Sequence, residues 1–385
     1  MLYRRFGRTG ADVSALGFGC MRFPSRRGVP TWRANVDVGK AVALLHEARQ
    51  SGVNYFDTAY NYHAGTSERI VGRFLSEIPR ESVFVATKSP VWKMRKPSDF
   101  KRYLTIQLRR LGTERVDFYL LHGLDRASFT KCRELGALEF LEAEIRRGRI
   151  GHAGFSFHDE PSAFAPIVDS FDWGFCLMQY NLVDEHSQAG AGGLRYAASK
   201  GMGVAVMEPL RGGDLVNGLP EVVRRGWAER PGFTPAQHCL RWILDQPEVS
   251  VVLSGMNTAA QLAEDVQVAS ATAPGSLARD ERDHYARMQS VYGSLRRTGC
   301  TRCCYCMPCP SGVFIPRILE LLDESSMFPE SSSPAMSYNM WLGAERRADR
   351  CTGCGSCESR CPQKLPVTKL LAGAHSVFTA GGPRS

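Results

Sequence analysis

The run Val116-Asp117-Phe118-Tyr119-Leu120-Leu121-His122 decides the fold. It is rich in β-branched and aromatic residues, apolar through its centre, and closes on a histidine, which is the pattern of a strand buried on both faces. Seven further apolar runs lie around it, at 15–21, 53–58, 83–88, 152–157, 175–180, 203–208 and 250–254, and amphipathic stretches such as 38–52 and 100–111 stand between them. Strands that alternate with helices imply right-handed βαβ units and a parallel sheet. Eight of them imply closure into a (β/α)₈ barrel, an α/β fold of about 250 residues. A doubly wound sheet would carry a glycine-rich dinucleotide turn after its first strand, and no G-x-G-x-x-G stands there.

In such a barrel the chemistry sits at the C-terminal ends of the strands. Those ends hold Cys20 and Met21, then Asp57, Lys88, His122, Ser156, Gln179, Glu208 and Ser254. An aspartate, a lysine and a histidine at three consecutive strand ends form a constellation. The plainer alternative for each is a structural ion pair for Asp57 with Lys88, and a capped core histidine for His122. Phe23, Trp32, Trp92, Phe157 and His158 fall near the expected mouth, as pocket lining or as ordinary packing.

Bulk composition narrows the function. The chain has 385 residues, 43% hydrophobic and 10% aromatic, enough for a barrel and a second, smaller unit. Its 48 basic and 39 acidic residues give +9, but the basic residues are scattered among acidic ones. Without a basic stripe nucleic acid is not an expected partner, while an acidic soluble electron carrier (a ferredoxin or flavodoxin) suits the surplus. No apolar run reaches the roughly 18 residues of a membrane span, so no membrane partner is expected. Arg4-Arg5 suggests a twin-arginine signal, yet Arg8, Thr9, Gly10 and Asp12 follow instead of an apolar stretch. Residues 1–8 are therefore expected to form the first strand of a cytoplasmic protein.

Thirteen cysteines are too many for a barrel alone. Cys20, Cys132, Cys176 and Cys239 are spread out, and the other nine fall in two groups. The second group reads Cys351-x-x-Cys354-x-x-Cys357-x-x-x-Cys361-Pro362, the bacterial ferredoxin run for a [4Fe–4S] cluster. The first reads Cys300-x-x-Cys303-x-x-Cys306-x-x-Cys309-Pro310, one residue shorter before the Cys-Pro, with an extra Cys304 that either replaces Cys303 or stands by. Each quartet is self-contained, or Cys309 and Cys361 are exchanged between two clusters. Zinc ribbons also use Cys-x-x-Cys pairs, but an evenly spaced run ending in Cys-Pro favours iron and sulfide. The helical pattern over 315–327, between the groups, points to a mostly helical ferredoxin-like module. The expected division is a barrel over 1–268, a linker and connecting helix over 269–298, an iron–sulfur module over 299–375 and a flexible tail over 376–385.

Several stretches carry a resemblance. They are Phe6-Gly7-Arg8-Thr9-Gly10 with Leu16-Gly17-Phe18-Gly19, Phe56-Asp57-Thr58-Ala59-x-x-Tyr62, Thr87-Lys88, the run from Val116 to His122, and Gly154-Phe155-Ser156. Together they resemble an aldo/keto reductase over roughly residues 1–265, and the whole chain resembles the subset with a C-terminal ferredoxin extension. The resemblance gives Asp57, Tyr62, Lys88 and His122 the roles of a catalytic tetrad. Elementary chemistry agrees. A phenol with a pKa near ~10 is a poor proton donor unless its anion is stabilised. Lys88 would lower that pKa, Asp57 would hold Lys88, and His122 would orient the substrate oxygen.

The resemblance also implies cofactor contacts. Ser156, Gln179 and Asn181 would hold the nicotinamide amide, and Glu208-Pro209-Leu210-Arg211-Gly212-Gly213 would cover the pyrophosphate. Ser254-Gly255-Met256-Asn257 and Gln261…Glu264-Asp265 would meet the adenosine end. Two positions depart from the family: Met207 replaces the usual stacking aromatic, and Gln261 stands where an arginine meets the 2′-phosphate of NADP. The coenzyme is thus NADP or NAD, with a flavin as an alternative. The function implied is NAD(P)H-dependent reduction of a carbonyl-like substrate, coupled to one-electron transfer through two clusters. The alternative is a catalytically relic barrel serving as a redox sensor or scaffold, or as an electron-transfer subunit.

Overall fold

The structure, a computed structural model, describes residues 1–25 and 35–379. Its strands are β1 (Tyr3–Arg5), β2 (Asp12–Ser14), β3 (Leu16–Gly19), β4 (Tyr55–Asp57), β5 (Phe84–Ser89), β6 (Val116–Leu124), β7 (Ile150–Phe157), β8 (Phe175–Gln179), β9 (Gly203–Met207) and β10 (Val251–Ser254). Strands β3 to β10 are parallel neighbours in chain order, and β10 pairs with β3 to close the barrel. All eight expected barrel strands are present. They read as unbroken apolar runs because both faces are covered, one by the barrel interior and the other by helices. The interior is filled by Tyr55, Phe118, Leu120, Phe175, Leu177 and Val251 among others.

The first residues do form a strand, though outside the barrel. Strands β1 and β2 make an antiparallel hairpin, and Phe6 between them is fully buried. Its ring meets Tyr55, Phe118 and Phe175 at centroid distances of 5.6, 5.0 and 5.2 Å. Tyr55 and Phe175 open their strands, so the hairpin plugs the N-terminal end and leaves the C-terminal end for chemistry. Gly203 is required by this plug, since a Cβ there would stand 2.3 Å from the Phe6 ring.

The chain divides into two compact units, and the boundaries differ from those expected. The first is Met1–Gly212 with Phe233–Arg282; the second is Gly213–Gly232 with Asp283–Ser385. The stretch expected as linker is partly helical, because helix Ala259–Ala271 runs into it. Asp245 then ties it to the barrel, its carbonyl accepting from Gly275 N at 2.8 Å and its carboxylate from Leu277 N at 2.9 Å. Residues 213–232, expected within the barrel, join the second unit through helix Glu221–Ala228. Gly226 of that helix lies so close to Met288 that a Cβ would meet its sulfur at 2.5 Å, and Trp227 packs against His284.

The second unit is mostly helical, as expected. Helix Ile315–Met327 buries Ile318, Leu319 and Leu322 against Leu371 and Phe378 of helix Val367–Thr379. That last helix corrects the flexible tail: residues 376–379 are helical, with Phe378 buried. Residues 380–385 lie outside the described ones. No helix among the described residues is long and apolar enough to cross a membrane.

Candidate functional site

Asp57 ends β4, Lys88 is the penultimate residue of β5, and Tyr62 opens the turn Tyr62–Gly65 that follows β4. Lys88 is buried and ion-paired with Asp57. Its ammonium also donates to the Thr58 carbonyl at 2.9 Å and lies 3.5 Å from the Tyr62 hydroxyl. His122, in β6, meets the Tyr62 ring edge-on at 6.1 Å and the Trp92 ring at 5.2 Å. The four residues named from the sequence therefore stand together. Asp57 Oδ2 and His122 Nδ1 are buried without a hydrogen-bond partner, a mark of a site rather than of settled packing. The turn itself is strained: His63, Ala64 and Gly65 take φ of 51°, 54° and 87° in succession.

Burial and charge act against each other at this site. Burial alone would depress the Lys88 ammonium, but Asp57 and Tyr62 together hold it above its usual value. Burial likewise raises the Asp57 carboxyl against the pull of Lys88. For Tyr62, burial raises the phenol, Lys88 lowers it and Asp57 raises it again; the net is upward, not downward. Lys88 acts in the expected direction and is outweighed. Burial, with Lys88 nearby, pushes the His122 imidazole well below its usual value, which leaves it neutral.

The expected lining residues divide. Trp92 reaches His122, whereas Phe23 is buried against His63 at 5.4 Å. Phe157 packs on Phe164 at 5.0 Å in the core, while His158, at the surface, lies within charge range of His122 and Lys88, as expected of the mouth. Trp32 lies outside the described residues. Sequence reading missed the buried network behind the tetrad. Glu68 Oε1 accepts from Thr87 and from Gln107 Nε2, both at 2.7 Å, and its Oε2 accepts from Arg110 at 3.0 Å. Gln107 Nε2 also donates to the Lys88 carbonyl at 3.0 Å, and Arg110 to the Tyr60 carbonyl at 3.1 Å. The network thus grips the backbone beside both Lys88 and Tyr62. A polar residue on the apolar face of each helix, Glu68 and Gln107, was the available signal.

The loops assigned to the coenzyme are placed less simply. Ser156 Oγ accepts from Gly123 N at 2.6 Å. Gln179, Asn181 and Arg211 converge, but on Asp184, which was not foreseen. Glu208 and Arg211 both adopt left-handed backbone, and Leu210 is half-buried between them. Arg22 was missed as well: its side chain lies against both Gly212 and Gly255, where an added Cβ would meet it at 3.0 Å. It therefore spans the loops assigned to the pyrophosphate and the adenosine. Met256 is buried in packing, and Gln261 accepts from Asn257 N at 2.9 Å. Asp265 is buried beside Ser254, and burial, with Glu264 adding, raises its carboxyl to about 7.

In the second unit Cys306, Cys309, Cys351, Cys354 and Cys357 line one pocket. Cys300 accepts from Arg302 N at 3.4 Å and lies within charge range of Cys303 and Cys361. Cys303 lies within charge range of Cys300 and Cys306, and Cys304 within charge range of Cys306. Cys304 takes a left-handed backbone and turns its thiol to the Arg302 carbonyl at 3.5 Å. Upstream, Asp323 grips Thr298 through N and Oγ1 at 2.7 and 2.9 Å, fixing the entry to the first group. Among the described residues no three His, Cys, Asp or Glu side chains gather as a single-ion site. Thiols around a cavity fit a cubane better than a zinc ion with sulfurs at about 2.3 Å.

A closed parallel barrel with Asp, Lys, Tyr and His at the C-terminal ends of its strands, in one chain with a helical unit rich in thiols, defines an oxidoreductase barrel with an iron–sulfur extension. The chain belongs to the aldo/keto reductase family, whose profile matches residues 15–275. Residues 299–365 match the 4Fe-4S dicluster domain. The L-galactose dehydrogenase of Arabidopsis thaliana is 29% identical over 302 residues, covering 72% of this chain and 90% of that protein. The NADH-specific methylglyoxal reductase of Escherichia coli is 25% identical over 305 residues, covering 68% and 91%. An aldo-keto reductase of Bacillus halodurans in its holo form superposes with a TM-score of 0.63 at 24% identity over 75% of this chain and 96% of that one, a likeness of fold.

Proposed function

We propose that this oxidoreductase is a cytoplasmic, NAD(P)H-dependent reductase of small carbonyl compounds whose second unit carries two [4Fe–4S] clusters and exchanges single electrons with an acidic soluble carrier. The catalytic part rests on one observation: the buried Lys88 ammonium between Asp57 and the Tyr62 hydroxyl, beside a neutral His122. A bound dihydronicotinamide supplies the hydride, two electrons with one proton, to the carbonyl carbon. Tyr62, still protonated at neutral pH, donates the second proton to the carbonyl oxygen, and the alcohol results. Lys88 stabilises the phenolate left behind, Asp57 keeps Lys88 charged and aimed, and His122 donates a hydrogen bond to the oxygen. Solvent then returns a proton to Tyr62.

Gln261 offers no cation to a 2′-phosphate, so NADH should serve at least as well as NADPH. The Escherichia coli relative is itself named NADH-specific. For the clusters, two neighbourhoods support exchanged ligands: Cys361 acts on Cys300, and Cys309 lines one pocket with Cys351, Cys354 and Cys357, a pocket that Cys306 also borders. The sets are then Cys300, Cys303 and Cys306 with Cys361, and Cys351, Cys354 and Cys357 with Cys309. Carbonyl reduction consumes both electrons of the hydride, so traffic through the clusters, which move one electron, requires a separate oxidation of the coenzyme in which a flavin, a protein partner or the two clusters in sequence divide the pair.

Turnover of a panel of aldehydes and ketones by wild type and Tyr62→Phe tests the reading. Loss of turnover with coenzyme binding retained supports it; unchanged turnover overturns the tetrad. A second reading, a barrel retained as a scaffold, is favoured by Met207 in place of a stacking aromatic. It expects no dinucleotide binding and partner capture that depends on the clusters.

A further inference from the structure

Three side chains that the dinucleotide reading needs come from three places: Gln179 ends β8, Asn181 follows it, and Arg211 lies beyond β9. All three end on one carboxylate oxygen. Gln179 Nε2 donates to Asp184 Oδ2 at 3.0 Å, Asn181 Nδ2 donates to it at 3.1 Å, and the Arg211 guanidinium is paired with it. The Arg211 and Asp184 side chains are only 13% and 12% exposed. The loop delivers Asp184 by design of its turn, since Asn181 Oδ1 accepts from Val183 N at 3.1 Å and Asp184 N at 2.9 Å. The other end of the Gln179 amide accepts from Gln188. Glu208 and Arg211 take φ of 55° and 49°, a backbone that side-chain-bearing residues adopt only when contacts hold them there.

We propose that Asp184 is an internal competitor for the dinucleotide, its carboxylate occupying the guanidinium and amides that the pyrophosphate and nicotinamide amide would otherwise engage. The inference rests on the reading of the barrel as a nicotinamide site. Arg211 cannot serve a carboxylate and a phosphate with the same donors, and two anions on one cation repel each other. Binding therefore requires that Arg211 exchange partners, and the apparent affinity falls by the fraction of molecules in which it has done so. Arg22, against Gly212 and Gly255, supplies a second cation on the same rim for the incoming phosphates.

The test is equilibrium binding of NADH and NADPH to the full-length, cluster-loaded protein, by quenching of protein fluorescence and by calorimetry, for wild type, Asp184→Asn and Asp184→Ala. The expected result is binding tightened about tenfold in both variants, together with loss in Asp184→Asn of a slow, saturable step seen when wild type is mixed rapidly with NADH. Binding by wild type with equal or weaker binding by the variants overturns the competitor and leaves the nicotinamide reading standing. If none of the three proteins binds either dinucleotide while the barrel still melts cooperatively, both readings fall. Binding by the variants alone is the strongest support. Should Asp184→Ala fail to fold, the isosteric Asp184→Asn carries the test.

Discussion

The two units place their chemistry differently with respect to their cores. In the barrel, the interior is packed by Phe6, Tyr55, Phe118 and Phe175 toward one end, and the tetrad stands at the opposite ends of the strands. In the second unit, site and core are the same residues: Cys357 belongs to the buried cluster of Ile318, Leu322 and Leu371, and Cys300, Cys306, Cys309 and Cys351 pack directly on it. A barrel can therefore lose its chemistry and keep its fold, as active sites on superfolds commonly can. A small unit whose core is lined by thiols depends on what those thiols bind, as metal-dependent domains do.

Tyr62→Phe should lower turnover by roughly 10³-fold, within the range of general acid catalysis. It should leave the melting temperature and the iron content unchanged; a drop in stability of the same order would merge site and core in the barrel. Next, Asp265 is raised from the usual carboxyl value to about 7, so folding favours its protonated form. Its contribution is complete below about pH 4 and is lost as pH rises through about 7. Asp265→Asn should therefore be more stable than wild type by roughly 2–4 kcal/mol at pH 8, and little different at pH 4. Denaturant unfolding at the two pH values checks this.

In the second unit the double variant Cys300→Ser/Cys361→Ser separates the ligand schemes. With exchanged ligands both cysteines serve one cluster, and about four of eight irons should remain. With self-contained quartets both clusters are struck, and an iron assay should find almost none. The smallest effect expected is in Arg22→Ala, which should weaken dinucleotide binding about tenfold, in the range of a charge-assisted phosphate contact. The loss should shrink as salt is raised; an unchanged dissociation constant would remove Arg22 from the coenzyme rim.

Much of the barrel was legible because strands buried on both faces are read as apolar runs, and because Asp57, Lys88 and His122 stand at or near the C-terminal ends of three of them. What escaped depends on contacts distant in sequence. Helix Glu221–Ala228 looks like any loop insertion until Gly226 is seen against Met288. Asp184 sits in a polar turn, where a carboxylate is unremarked without Arg211 beside it. The net rise of the Tyr62 pKa follows from burial, and no motif encodes burial. The two cysteine groups have nearly the same spacing, so only spatial neighbourhood relates Cys361 to Cys300 and Cys309 to Cys351.

The most direct test of the contrast is an iron, sulfide and zinc count on protein purified without oxygen, followed by NADH binding and thermal unfolding before and after the iron is chelated. The account expects about eight irons and eight sulfides. Chelation should abolish the helical transition of the second unit and leave dinucleotide binding and the barrel's own transition intact. Zinc in place of iron, or a barrel that melts and releases NADH when the iron is withdrawn, would contradict it.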